Sequence, residues 1–116
     1  MQDVEQLIAR WAKDVGILDK SNPRKQLEKM TEEVNELETE LIRMHTLELT
    51  GASDDEKEKA RDKALMELGD VFVTAIVMAE LLNVKPSTAQ CLAYIKISKR
   101  KDTGSMKNGF FVKDGD

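Results

Sequence analysis

Little in this sequence would interrupt a helix. Two prolines and six glycines occur in 116 residues, and three of the glycines fall in the last 13. No stretch shows sustained alternation of apolar and polar residues, which is the pattern of a half-buried strand. We therefore predict an all-α chain of four main helices, followed by an irregular tail over about 102–116. Within that tail, 107–112 fits a turn between two short extended pieces.

Cysteine is equally scarce. Cys91 is the only one, which excludes an intrachain disulfide and favours a reducing, cytoplasmic setting. The first residues lack the basic and apolar segments of a signal peptide. The most apolar stretch, 71–82, is interrupted by Thr74 and Glu80 and is too short to span a bilayer. We expect a cytoplasmic protein that does not enter a membrane.

A large excess of positive charge is also missing. The chain has 18 Lys and Arg against 22 Asp and Glu, a formal net charge of −4. It therefore lacks the broad basic footprint of a general nucleic-acid binder, although a local basic patch is compatible with this balance. With 41% hydrophobic residues the chain is too apolar to be disordered. Its length suits one domain over 1–116.

Capping signals indicate where the helices begin. The first helix is predicted over about 3–17, and Gly16 contributes to its end. Each later helix begins at a capping residue or at a Ser with Glu or Gln three residues on, and the last one ends near 99. These signals are Asn22 before Pro23, Ser53 with Glu56, and Ser87 with Gln90.

The second helix carries the clearest apolar period. Its apolar residues are spaced 3, 4, 3, 4, 3, as in the seam of a helical bundle: Leu27, Met30, Val34, Leu37, Leu41 and Met44. In the third helix, residues 71–79 are apolar in all directions, and such a helix needs burial on every side. We infer a subunit interface there and a homodimer or homotetramer. Burial by the tail and first helix of the same chain is the alternative.

Five acidic residues form the main candidate site. They are Glu32, Glu33 and Glu36 on the second helix and Glu67 and Asp70 on the third. Residues three apart on a helix share a face, so Glu33 and Glu36 project to one side, as do Glu67 and Asp70. At about 100° per residue, Glu33 falls beside the apolar seam rather than opposite it. Both pairs can therefore face a groove between packed helices.

A divalent cation would offset the repulsion between these carboxylates. Four of them in one groove repel, and removing them from water is costly. Ligands that are all oxygen select a hard ion such as Mg²⁺ or Mn²⁺. A solvated acidic face is the alternative. A di-iron bundle needs Glu-x-x-His on two helices, and the single histidine, His45, does not follow these glutamates at that spacing.

The acidic residues resemble the motif of a known family. Glu32-Glu33-Val34-Asn35-Glu36, followed by Glu67-Leu68-Gly69-Asp70, resembles the EExxE…ExxD motif of the MazG-like nucleotide pyrophosphohydrolases, in the all-α NTP pyrophosphatase superfamily. The similarity extends over nearly the whole chain, including segments 7–12, 23–29, 67–73, 96–101 and 108–113. One departure is the long separation of 30 residues between Glu36 and Glu67. Its extra length falls around 47–59.

The resemblance implies a fold and a reaction. The fold is a four-helix-bundle-like MazG-type subunit in an oligomer. The reaction is Mg²⁺-dependent hydrolysis of a nucleoside triphosphate between the α and β phosphates, which gives a monophosphate and pyrophosphate. Glu33, Glu36, Glu67 and Asp70 take the metal-ligand role. Glu32 binds a second ion or helps to position or deprotonate the water, so Glu32, Glu33 and Glu36 form the predicted catalytic set.

The substrate-binding residues are predicted beside this set. Lys96, Lys99 and Arg100 would neutralise the phosphates, or they complement the dipole of a helix C-terminus. Asn108 would hydrogen-bond phosphate or sugar, or it forms a turn with the glycine that follows. Trp11 would stack on a base or belongs to the core. Two other functions remain open: a non-catalytic helical interaction module, and an enzyme like phosphoribosyl-ATP pyrophosphohydrolase.

Overall fold

The computed structural model describes residues 3–114. Residues 1, 2, 115 and 116, which belong to the predicted domain and tail, lie outside the described range. The elements in chain order are α1 (Val4–Asp14), α2 (Ile17–Lys20), α3 (Pro23–Leu49), α4 (Asp54–Leu81), α5 (Pro86–Lys99), β1 (Gly104–Lys107) and β2 (Phe110–Lys113). The fold is mostly helical, in agreement with the all-α prediction, with one small sheet added. No helix in the described range is long and apolar enough to cross a membrane.

Two of the predicted caps are present and one is wrong. The Asn22 side chain accepts a hydrogen bond from the Lys25 amide at 2.9 Å, and Ser53 accepts one from the Glu56 amide at 3.2 Å. The predicted Ser87 box does not form. α5 begins at Pro86 with Lys85 as its N-cap and without a side-chain cap. Proline favours the first helical position because its φ is already helical, so the helix begins before Ser87.

The predicted first helix is divided in two. α1 ends at Asp14, and Gly16 adopts a left-handed conformation with φ of 89° before the single turn of α2. Glycine takes this conformation without steric cost because it has no Cβ. The break turns the chain between Trp11 and Ile17, and both of these residues line one cavity.

The tail contains a hairpin, so its description as irregular is wrong for the described residues. β1 and β2 pair antiparallel, with Lys107 opposite Phe110. Asn108 and Gly109 connect them with φ of 52° and 84°. Two positive φ values are the signature of a type I′ turn, which matches the twist of the strands. The extended pieces and turn expected over 107–112 are thus confirmed.

The helical hairpin of α3 and α4 provides the framework, and α1 packs on α4. Most of the buried apolar side chains are alanines. The set is Ala12 on α1, and Ala60, Ala64, Ile76, Val77 and Ala79 on α4. Short side chains let helices approach closely. They also make a thin core, in which Val77 is the largest fully buried side chain among the described residues.

Candidate metal centre

Two glutamates lie in the seam where α3 packs on α4. The buried and half-buried positions along this face of α3 recur at spacings of 4, 3, 4, 3, 4, 3. They are Gln26, Met30, Glu33, Leu37, Glu40, Met44 and Leu47. Leu27, Val34 and Leu41 of the predicted seam are instead 55%, 45% and 51% exposed. The prediction that Glu33 lies beside the seam is therefore wrong: α3 is rotated so that Glu33 is in the seam.

Three carboxylates from the two helices converge there. Ligand oxygens of Glu33, Glu67 and Asp70 all lie within 4.8 Å of one another. Glu33 is buried, Glu67 is half-buried and Asp70 is exposed. The group therefore extends from the helix seam to the surface. An ion held by these oxygens would be anchored in the protein and still accessible to water or substrate.

Glu36 belongs to the same cluster. Its pKa is raised, first by the negative charge of Glu33 and next by a hydrogen bond with Glu67. Three of the four residues predicted as metal ligands thus converge, and Glu36 lies beside them, close enough for Glu33 and Glu67 to raise its pKa.

Two buried oxygens in the cluster lack a partner. No described group donates a hydrogen bond to Oε2 of Glu33 or to Oε2 of Glu67. An unpaired buried acceptor is costly, and an ionised one more so. Since every ligand in the group is a carboxylate oxygen, a hard divalent cation such as Mg²⁺ or Mn²⁺ fits it. The unpaired oxygens and the donor chemistry agree on this point.

Lys29 neutralises part of the cluster from its edge. Its Nζ lies 3.2 Å from Oε1 of Glu33 and 3.5 Å from Oε2 of Glu32. The hydrogen bond to Glu33 is the main reason that the pKa of Lys29 is raised. Glu32 therefore lies outside the group of three, paired with Lys29 at the surface. Lys29 was not predicted as a site residue. Its position four residues before Glu33 on the same helix was the sequence signal that could have indicated this ion pair.

A cavity of about 390 Å³ opens beside the carboxylates. Its polar lining includes Glu33, Asp70 and Lys29, and its apolar lining includes Trp11, Ile17 and valines of α4. Trp11 is 48% exposed, so it lines this cavity and is not enclosed in the core.

Gln26 was not predicted as a site residue. It also lines the cavity, and its Nε2 donates to Ser21 Oγ at 3.1 Å. Its position four residues after Asn22 placed it in the first turn of a helix, but nothing in the sequence indicated which way the side chain would face. The packing of α1 and α2 against the hairpin decides that.

The predicted phosphate-binding cations are not in this cavity. Lys96, Lys99 and Arg100 lie at the end of α5, and Asn108 is in the turn of the β-hairpin. None of them is among the residues that line the cavity within 3–114. Within one chain, the structure brings the acidic set together without the basic set.

Comparison with known proteins adds no relative. No protein-family model, no curated protein and no solved structure matches this chain. The carboxylate cluster and its cavity are therefore the basis for assigning a function.

Proposed function

We propose that the chain is a Mg²⁺- or Mn²⁺-dependent hydrolase of nucleoside triphosphates, which cleaves between the α and β phosphates and releases pyrophosphate. The observation that carries this proposal is the pair of unpartnered buried oxygens on Glu33 and Glu67, which converge with Asp70 beside a half-apolar cavity. The resemblance of the acidic motif to the MazG-like family supports the same reaction.

The residues suggest how the work is divided. Glu33, Glu36, Glu67 and Asp70 would hold the ion, which when bound polarises a phosphoryl oxygen and acidifies a water. Lys29 holds Oε1 of Glu33 and thereby orients that carboxylate. Glu32 remains the candidate for positioning the water or for a second ion.

The cavity supports a nucleotide as the substrate. Trp11 lines the same cavity as Glu33 and Asp70. A base can stack on an indole ring with a gain of about 1–3 kcal/mol, while phosphate oxygens reach the ion. We therefore propose that the base contacts Trp11 and that the phosphates lie near the carboxylates.

A purely structural helical module explains the cluster less well. Buried carboxylates that repel one another destabilise a helix pair, and apolar residues of similar volume usually serve such a seam as well or better. Glu33 and Glu67 occupy seam positions where leucine would pack. The cost is understandable if the carboxylates bind a cation.

We also propose that the protein is a cytoplasmic homo-oligomer. Leu27, Val34 and Leu41 recur every seven residues on α3 and are about half exposed. Leu65 and Phe72 repeat the same interval on α4 and are also exposed. Heptad spacing of this kind favours packing against a further helical pair, which a second copy of the chain would supply.

The test is pyrophosphate release from a panel of ribo- and deoxyribonucleoside triphosphates, with Mg²⁺ and with EDTA. We expect release that requires the metal and is lost in Glu36→Gln and in Asp70→Asn. Glu38→Gln, an exposed carboxylate on the same helix, is the control and should retain activity. Release of orthophosphate in place of pyrophosphate, or equal rates with EDTA, would contradict the proposal.

A further inference from the structure

Lys29 is the cation that the chain itself places at the carboxylate cluster. Among residues 3–114, it is the only Lys or Arg that lines the cavity of about 390 Å³ beside the cluster. Its side chain is 50% exposed, so a change of partner would not disturb the packed seam between α3 and α4. The described residues thus give the proposed site one positive side chain, and its place is defined by two measured contacts.

The two oxygens of the Glu33 carboxylate have different surroundings. Oε1 lies 3.2 Å from Nζ of Lys29, whereas Oε2 is buried and has no hydrogen-bond donor among the described residues. The Glu33 side chain is only 9% exposed, which limits how far it can turn. Oε2 is therefore the oxygen open to a cation, and a bound ion would share this carboxylate with the ammonium group of Lys29.

Sharing one carboxylate brings two positive groups close together. A divalent ion lies about 2.0–2.6 Å from its oxygen ligands, and Nζ is 3.2 Å from the other oxygen of the same carboxylate. Like charges at so short a separation repel one another, and the repulsion is greater where protein displaces water. The charge of Lys29 must therefore weaken the binding of a cation that arrives alone.

The same charge has the opposite effect on a phosphate group. Triphosphate oxygens bind Mg²⁺ and also accept charge-assisted hydrogen bonds from lysine, so one phosphate can contact both positive groups. Glu32, the second partner of Lys29, lies 3.5 Å from Nζ and is 58% exposed. An exposed ion pair of this kind contributes little stability. Lys29 can therefore exchange Glu32 for a phosphate oxygen while it keeps Oε1 of Glu33.

We propose that Lys29 couples the two ligands of the site. It opposes binding of the divalent cation alone, and it contacts a phosphate oxygen when the cation and a triphosphate are bound together. The metal and the nucleotide then bind cooperatively, and the coupling is reciprocal. The contact with phosphate rests on the proposed hydrolase function, whereas the effect on the cation does not.

Calorimetric titration of the full chain tests this coupling. The ligands are Mn²⁺ alone, and then, at saturating Mn²⁺, a triphosphate with a methylene group in place of the oxygen between the α and β phosphates, which cannot be cleaved there. In Lys29→Met we expect Mn²⁺ alone to bind about three- to ten-fold more tightly. The uncleavable triphosphate should bind about ten- to hundred-fold more weakly, because a charge-assisted hydrogen bond is lost.

Two further variants separate the role of Lys29 from a general effect of charge. Lys25→Met removes a lysine one turn earlier on α3, whose pair with Glu28 is exposed on both sides, and it should change neither affinity. Lys29→Arg keeps the charge and should restore both affinities most of the way toward wild type. Circular dichroism verifies that each variant keeps its helices.

The sign of each change decides the outcome. Weaker binding of Mn²⁺ alone to Lys29→Met would mean that Lys29 only positions Glu33 for the ion, and the proposal would be wrong. An unchanged affinity for the uncleavable triphosphate would also overturn it. If the wild-type protein binds Mn²⁺ but no triphosphate, the hydrolase function and the phosphate contact both fail. The Mn²⁺ affinity of Lys29→Met then still decides whether Lys29 opposes the cation.

Discussion

At the scale of single residues, the proposed metal site would exchange stability of the fold for the capacity to bind a cation. Glu33 and Glu67 each carry a buried oxygen without a hydrogen-bond donor, and both face other negative charges. The protein without metal bears this cost fully, and the cation that we propose would relieve it. Stability and activity should therefore respond in opposite directions when one carboxylate is neutralised.

Glu67→Gln tests this exchange. Without metal, we expect the variant to be more stable by about 1 kcal/mol, because an amide does not repel its neighbours and can donate a hydrogen bond to them. With Mg²⁺ it should lose pyrophosphate release. Chemical denaturation in EDTA and an activity assay measure the two effects. Glu38→Gln should change neither, and a destabilised Glu67→Gln would show that the carboxylate contributes to the fold without metal.

The pH dependence of the metal-free protein should report on Glu36. Its pKa is raised in the folded state by Glu33 and Glu67, while Lys29 is the cation paired with Glu33. A raised carboxyl pKa means that folding favours the protonated form, so the contribution to stability is largest at low pH and is lost as pH rises through the folded pKa. Melting temperatures in EDTA should thus show a Glu36 contribution that declines from acidic toward neutral pH. In Glu36→Gln that part of the pH dependence should disappear, and an identical profile would contradict it.

Which residues meet was more predictable than how deeply they lie. The spacing of Glu33, Glu36, Glu67 and Asp70 placed each pair on one helical face, and in the structure three of them converge with Glu36 beside them. The sequence did not indicate that Glu33 would be buried, because burial depends on how α3 rotates against α4. Gln26 was missed for a related reason, since the cavity that it lines also needs residues of α1 and α4, which are distant in sequence.

At the scale of elements, local chemistry decided the turns and tertiary packing decided the faces. Asn22 and Ser53 cap their helices as predicted, and Asn108 with Gly109 forms the expected turn. Such motifs depend on neighbours within a few residues. The apolar period of α3 was real, but α4 packs on a row displaced from it. A seven-residue period predicts that apolar residues share one face of a helix, but it does not predict which other helix packs on that face.

Two glycines allow an element-scale test with a matched control. Gly16 has φ of 89°, and a Cβ there would have room, with the nearest atoms on Lys20 at 3.9 Å. Gly16→Ala should therefore cost about 1 kcal/mol through backbone conformation alone. Because the break orients α1 and α2 at the cavity wall, KM for the triphosphate should also rise.

Gly69→Ala is the control for that change. Gly69 lies inside α4, and a Cβ there would meet nothing within 4 Å. The same substitution should then stabilise the protein by about 0.5–1 kcal/mol, since alanine is the better helix former. Thermal or urea unfolding of both variants gives the comparison. Equal effects of the two substitutions would show that the left-handed conformation of Gly16 carries no cost.

At the scale of the whole molecule, the thin core and the exposed apolar residues are the features that the proposed assembly would cover. Small side chains dominate the buried positions of α4, while large apolar residues such as Leu41, Leu65 and Phe72 remain exposed. Leu37, Leu41, Leu65 and Leu68 line a groove of about 310 Å³ between α3 and α4. The sequence indicated an assembly through the apolar residues 71–79. The exposed residues Leu27, Val34 and Leu41 of α3 are a second reason to propose an assembly. This reason depends on the rotation of α3, which the sequence did not indicate.

Leu41→Glu tests whether this stripe is the interface between copies. Leu41 is half exposed in the single chain, so the charge should not disturb the fold of one subunit. In a packed interface, an unpaired buried carboxylate is strongly unfavourable, so the mass measured by light scattering at micromolar concentration should fall from that of a dimer or tetramer to that of a smaller species. Ile42→Glu is the matched control, because the adjacent residue is equally exposed but points away from the groove. Circular dichroism verifies that both variants keep their helices. A monomeric wild-type protein would refute the assembly, whereas dissociation by Ile42→Glu alone would place the contact on the opposite face of α3.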